Sequence, residues 1–140
     1  MLRGAVGVNA VDAARASGDG VAKTVLVVED ERALRLMTVE ILERSGYAVL
    51  EAGDGEAALD VSNEYDGIID VLLTDVVMPR MQGTELADAI RLQRPEIVII
   101  YMTGYAKEAF RDRGVRPVAL VEKPVTEEHL LEVLRQHLPD

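Results

Sequence analysis

Chemistry in this chain gathers where short apolar runs stop. Val25–Val28 (VLVV) is followed by Glu29-Asp30-Glu31, and Val71–Thr74 (VLLT) by Asp75. The run Ile97–Thr103 (IVIIYMT) closes on Thr103-Gly104, and Val118–Val121 (VALV) on Glu122-Lys123-Pro124. Carboxylates crowded into one cleft repel one another unless something positive joins them. Oxygen-only ligands with open positions for water and phosphate suit Mg²⁺. Zinc is a poor fit, because cysteine is absent and both histidines, His129 and His137, lie together near the C-terminus. Lys123 can give a point charge to one phosphate oxygen, and the Thr103 hydroxyl a hydrogen bond to another. Such a set suits phosphoryl transfer onto a carboxylate, with Asp75 in the middle as the natural acceptor. Taken singly, each residue has a plainer reading: Asp30 as a helix cap, Lys123 as a solvated lysine, Thr103 as a strand-end hydroxyl. Their joint placement carries the chemistry.

The elements that must hold these residues alternate regularly from Thr24 onward. VLVV reads as a strand covered on both faces. Glu31–Ser45 then sets Leu34, Met37, Ile41 and Leu42 on one helical stripe, with Gly46 as its stop. Tyr47–Glu51 predicts a second strand, Asp54–Tyr65 a second helix capped by Asp54, and Val71–Thr74 a third strand. A loop through Met78-Pro79 to Gly83 leads into a helix over Thr84–Gln93. Ile97–Thr103 is the fourth strand, Ala106–Arg113 a short helix and Val118–Val121 the fifth strand. Thr126–Leu138 is the last helix, with Leu130, Leu131, Leu134 and Leu138 as its buried side. Ahead of all this, Met1–Ala22 is rich in small residues and Gly and reads as a flexible leader or linker, with a short helix around Ala10–Ala16.

Five β–α units in a row predict a parallel sheet with helices on both faces. Right-handed crossovers leave a Rossmann-like half or a flavodoxin-like order 2-1-3-4-5. In either, the carboxyl ends of the strands share one edge, where ligands bind at the switch in strand order. In the second layout the first and third strands are neighbours, so Glu29, Asp30 and Asp75 converge, with Thr103 and Lys123 across the pocket. The first strand is not followed by G-x-G-x-x-G, and neither a Walker lysine motif nor a G-x-S-x-G elbow occurs. Dinucleotide binding and serine hydrolysis are therefore unsupported.

At 140 residues the chain suits one domain, and 49% hydrophobic with 29% charged residues is a globular balance. A net charge of −10 argues against a nucleic-acid partner. No apolar run approaches the roughly 18 residues of a membrane span, and no signal-peptide core stands at the N-terminus.

At these residues the chain resembles the receiver domain of two-component response regulators, over about Thr24–Leu138. The matching text is VLVVEDE at Val25–Glu31, LLTDVVMPRMQG at Leu72–Gly83, YMTGY at Tyr101–Tyr105 and VEKP at Val121–Pro124. The wording of LLTDVVMP and MTGY is similar to the C-terminal receiver of hybrid histidine kinases. The resemblance implies a flavodoxin-like, doubly wound five-stranded parallel sheet in the order 2-1-3-4-5 with five helices, occupying residues 23–140 after a leader over 1–22. It makes Asp75 the phosphoacceptor, with Asp30 and Asp75 as direct Mg²⁺ ligands, Glu29 acting through water, and the backbone carbonyl of Val77 as a further ligand. Thr103 becomes the switch hydroxyl and Lys123 the phosphate-binding lysine, with the Lys123–Pro124 bond cis. The family usually carries Tyr or Phe where this chain has Leu120. That departure bears on the coupled threonine–aromatic switch and leaves the phosphorylation chemistry intact. Val77 and Tyr105, two positions after the acceptor and the switch threonine, lie where the family tunes phosphoryl lifetime.

The implied function is a phosphoacceptor, not an enzyme in its own right. It would be served in the cytoplasm by a histidine kinase or histidine phosphotransfer domain, with no nucleic-acid or membrane contact of its own. No effector domain follows Leu138, so output is expected through a downstream protein partner or back through a kinase. Two other classes stand beside it. A small Mg²⁺-dependent phosphohydrolase would need a cap or specificity pocket, for which 140 residues offer no segment. A receiver-shaped interaction module with a vestigial site would not need all five residues in place.

Overall fold

Short runs rich in Val, Ile and Leu pair edge to edge, because their branched side chains fit a pleated surface and both faces can be covered. The computed structural model describes residues 22–104 and 119–139. The expected helices at Ala10–Ala16 and Ala106–Arg113, Tyr105, and nearly all of the leader lie outside the described residues. Strands β1 (Thr24–Val28), β2 (Ala48–Ala52), β3 (Val71–Asp75), β4 (Val98–Thr103) and β5 (Leu120–Glu122) form one sheet. All pairs are parallel and the order is β2-β1-β3-β4-β5, the flavodoxin-like layout. Helices α1 (Arg32–Arg44), α2 (Gly55–Glu64), α3 (Gly83–Gln93) and α4 (Glu127–His137) cover it.

Alternation along the strands divides the core into two layers. Leu26, Val28, Leu50, Leu72, Ile99 and Tyr101 face α2 and α3, meeting Ala58, Val61, Leu86 and Ile90. Val25, Val27, Leu73, Ile100, Met102 and Val121 face α1 and α4, meeting Leu42, Leu130 and Leu134. Each such leucine, fully buried, is worth about 1.5–3 kcal/mol relative to exposure.

The helix ends follow their sequence signals. Gly46 has φ 93°, and Tyr47 and Gly46 donate N–H bonds to the Leu42 and Glu43 carbonyls, a Schellman ending that a residue with Cβ would strain. The Asp54 carboxylate accepts from the Ala57 N–H at 2.8 Å and caps α2. Thr126 Oγ1 accepts from the His129 N–H and caps α4. Arg94 closes the far end of α2, donating to the Ser62, Tyr65 and Gly67 carbonyls at 2.8 Å each.

Three expectations shift. The inner face of α1 is Thr38, Val39, Ile41 and Leu42, whereas Met37 is 40% exposed. At 100° per residue Met37 stands at the edge of that arc, and Thr38 is tolerated at its centre because its hydroxyl donates to the Leu34 carbonyl at 2.8 Å. On α4, Val133 is buried while Leu131 and Leu138 only lean on the core. The fifth strand covers Leu120–Glu122, because its ladder with β4 runs from Tyr101↔Leu120 to Thr103↔Glu122. Pairing, not apolarity, sets that boundary.

Candidate functional site

The switch in strand order falls between β1 and β3, and both strands end in acid. Asp75 is the last residue of β3, paired in register with Met102, and is itself buried. Glu29 follows β1 and is only 1% exposed, while Asp30 beside it is exposed. Carboxylate oxygens of Glu29, Asp30 and Asp75 come within 4.8 Å of one another.

Lys123, just past β5, reaches across to them. Its Nζ donates to Asp75 Oδ2 at 2.9 Å and lies 2.9 Å from Glu29 Oε1. The second contact is an ion pair off the hydrogen-bonding direction, so Oε1 is buried without an aligned donor. Glu29 Oε2 is satisfied by the Glu31 N–H at 3.0 Å. Burial pushes the Glu29 carboxyl above its ordinary value, helped by the Asp75 charge and opposed by the Glu31 amide and Lys123. Burial alone would lower the Lys123 ammonium, but the Asp75 and Glu29 carboxylates outweigh it and raise its pKa. Thr103 ends β4 in a buried position, and its carbonyl accepts the Lys123 N–H at 3.0 Å, tying the hydroxyl-bearing residue to the lysine. The Lys123–Pro124 bond is cis.

The loop from β3 to α3 closes tightly on the site. Val76 N–H donates to the Met102 carbonyl at 3.1 Å, and Gly83 N–H to the Val76 carbonyl at 2.8 Å. Buried Val76 and Met78 anchor the loop, leaving the Val77 side chain between them 60% exposed. Arg80 takes φ 68° and pairs with Asp54 at 3.1 Å. Gly83 must be glycine, because a Cβ there would strike the backbone carbonyl oxygen of Asp75.

Glu29, Asp30, Asp75, Thr103 and Lys123 thus share one edge, and Val77 stands on the adjoining loop. The sequence reading missed Arg35, whose guanidinium donates to the Glu29 carbonyl at 2.8 Å and to Glu51 Oε1 at 3.1 Å. A signal existed: helical phasing puts Arg35 between Leu42 and Val39, a charge inside the apolar arc.

Comparison with known proteins agrees with this geometry. The response regulator receiver domain family matches residues 25–135. The chain is 45% identical over 87 residues to the sensor kinase CckA of Brucella abortus (strain 2308), covering 62% of this chain and 9% of that protein. It is 32% identical to the response regulator receiver protein CpdR of the same organism, over 81% of this chain and 92% of that one. The chain therefore spans a tenth or less of one such relative and nearly all of another. Among solved structures, the receiver domain of the hybrid histidine kinase CckA superposes with a TM-score of 0.71 at 34% identity, covering 83% of this chain and 99% of that one. The chemotaxis response regulator CheY4 of Vibrio cholerae gives 0.73 at 31% identity, covering 83% and 98%. The chain belongs to the response regulator receiver domain family of two-component signalling.

Proposed function

We propose that Asp75 accepts a phosphoryl group from a phosphohistidine on a histidine kinase or histidine phosphotransfer domain, and that the resulting charge changes which protein the domain contacts. The observation that carries this is the Lys123 ammonium set 2.9 Å from both the Asp75 and Glu29 carboxylates at the strand-order switch. An Asp75 oxygen forms the new O–P bond as the N–P bond of the phosphoimidazole breaks, its electron pair staying on the ring nitrogen. Lys123 offsets the charge of the arriving phosphoryl oxygens, and Thr103 supplies a hydroxyl beside it.

The donor set fits a divalent cation. Three carboxylates can turn oxygens toward a common point, and Glu29 Oε1 is a buried acceptor without an aligned donor. Glu29, Asp30, Asp75 and the Val77 carbonyl would hold Mg²⁺, which when bound neutralises charge on the transferring phosphoryl group. Glu29 acts through water in this reading.

Beside Lys123 an open cleft of about 600 Å³ is lined by Leu34, Met37, Pro124 and Val125. Of these, Met37 and Pro124 are exposed, and apolar surface next to the acceptor suits the docking of a donor's helix. No helix among the described residues is long and apolar enough to cross a membrane; the phosphorelay reading puts the domain in the cytoplasm.

The test is Asp75→Asn, which is nearly isosteric. With acetyl phosphate and Mg²⁺, intact mass should show one added phosphoryl group on the wild type and none on Asp75→Asn. Undiminished labelling of the variant moves the acceptor elsewhere.

A further inference from the structure

Arg35 occupies a position that packing alone would give to an apolar side chain, and its side chain keeps only 18% of its exposure. It spends its donors on two acceptors, the backbone carbonyl of Glu29 and the carboxylate of Glu51. Glu51 lies on β2, in register with Val27 of β1, so the guanidinium bridges α1 to two strands. Gly53 leaves it room: a Cβ there would stand 3.1 Å from Arg35 Nη1.

We propose that Arg35 is a positioning residue for the cation site, acting through the Glu29–Asp30 peptide. The carbonyl oxygen of Glu29 and the nitrogen of Asp30 lie in one rigid plane. Holding that oxygen fixes the plane, and with it the position of the Asp30 Cα from which the exposed carboxylate departs. Glu29 is held from two other sides, by its N–H to the Ala52 carbonyl at 3.3 Å and by its Oε2, which accepts from the Glu31 N–H at 3.0 Å. The charge on Arg35 is matched by Glu51, so its effect on the pocket is directional rather than an added field. A half-buried ion pair replaced by apolar side chains is often no loss, so stability by itself is a weak reason for a charge at this position.

This inference rests on the phosphoacceptor reading, and its test separates the two. Mg²⁺ alone is titrated against the amide shifts of Asp30 and Val76, and labelling by acetyl phosphate is followed across Mg²⁺ concentrations. In Arg35→Gln the half-saturating Mg²⁺ should rise about tenfold, the usual cost of losing a residue that orients a ligand. The limiting labelling rate at saturating Mg²⁺ should stay near the wild-type value. Arg35→Lys keeps the charge but reaches only one acceptor, and should recover part of the affinity. A merely structural Arg35 would lower the metal-free melting temperature and leave half-saturation where it was; that result overturns the proposal. Should Arg35→Gln fail to fold, Gly53→Ala crowds the guanidinium without changing charge, and unchanged Mg²⁺ affinity there overturns it equally. A wild type that takes no label, or labels without regard to Mg²⁺, counts against the phosphoacceptor reading itself.

Discussion

Lys123 is the counter-charge for two carboxylates, one of which has almost no water of its own. A carboxyl raised above its ordinary value, as Glu29 is, holds its proton more tightly folded than unfolded. Stability from this group therefore falls as pH rises from the ordinary value through the folded one. Lys123 is also raised, so its contribution is fully present below its ordinary value and is lost as pH climbs through the folded one. Where Glu29 is ionised, the ion pair with Lys123 offsets the cost of burying that charge. Lys123→Met should thus cost about 1 to 3 kcal/mol near neutrality, the penalty of stranding a buried acceptor. The loss should shrink as acid protonates Glu29. Thermal melts at about pH 5 and about pH 8 check this, and equal losses at both would detach Lys123 from Glu29. The gathering of the five candidate residues at one edge was legible in the sequence because their types follow strand ends. Arg35 left only an indirect signal, a charge inside the apolar arc of α1, because the backbone carbonyl it holds carries no residue signature.

At the scale of elements, helix α3 is seated by a contact that admits no side chain. Its first residue, Gly83, lies against the Asp75 carbonyl, so β3 and the helix behind it are locked together. Gly83→Ala should cost about 1–3 kcal/mol through overpacking and slow labelling of Asp75 as well. A urea melt with a parallel labelling time course checks both, and a wild-type midpoint would mean α3 can slide without loss. The number of strands could be read from apolar runs and their order from the family resemblance, but their ends could not. Asp75 and Glu122 belong to strands because a neighbouring strand offers them register partners, Met102 and Thr103. The inner arc of α1 was misread for a related reason. Thr38 hides its hydroxyl in its own helix, and hydrophobicity ranks it below Met37. Leu120 belongs to this scale too. It packs into the layer that holds Tyr101, its register partner on β4. A leucine gains no hydrogen bond by turning, and a full shift between states needs roughly 5 kcal/mol of preference. Beryllofluoride should therefore move the amides of Asp75, Thr103 and Lys123 strongly and those along β5 weakly, with Leu120→Tyr enlarging the β5 response. A full β5 response that the substitution leaves unaltered would show switching by another route.

Over the whole molecule, acid outnumbers base by ten charges, and three carboxylates are gathered at one end. Mg²⁺ should raise the melting temperature by binding linkage, worth about 1.4 kcal/mol at ligand roughly tenfold above Kd. Asp75→Asn should blunt the gain, and an unmoved melting point at millimolar Mg²⁺ would remove the cation from the site. The opposite end of the sheet is cross-tied by Asp70. Asp70 exchanges three bonds with Thr24 and Val98: its N–H donates to the Thr24 carbonyl at 2.9 Å, its carboxylate accepts the Thr24 N–H at 2.8 Å, and its carbonyl accepts the Val98 N–H at 3.0 Å. The domain begins at that edge with β1, and α4, running back from the site after β5, returns to it. Among the described residues, the start of β1 and the last turn of α4 therefore lie away from Asp75. A unit closed at one end and reactive at the other is portable: related sequence is found within a long chain, a sensor kinase of which this chain matches 9%, and almost alone, in a relative of which it matches 92%.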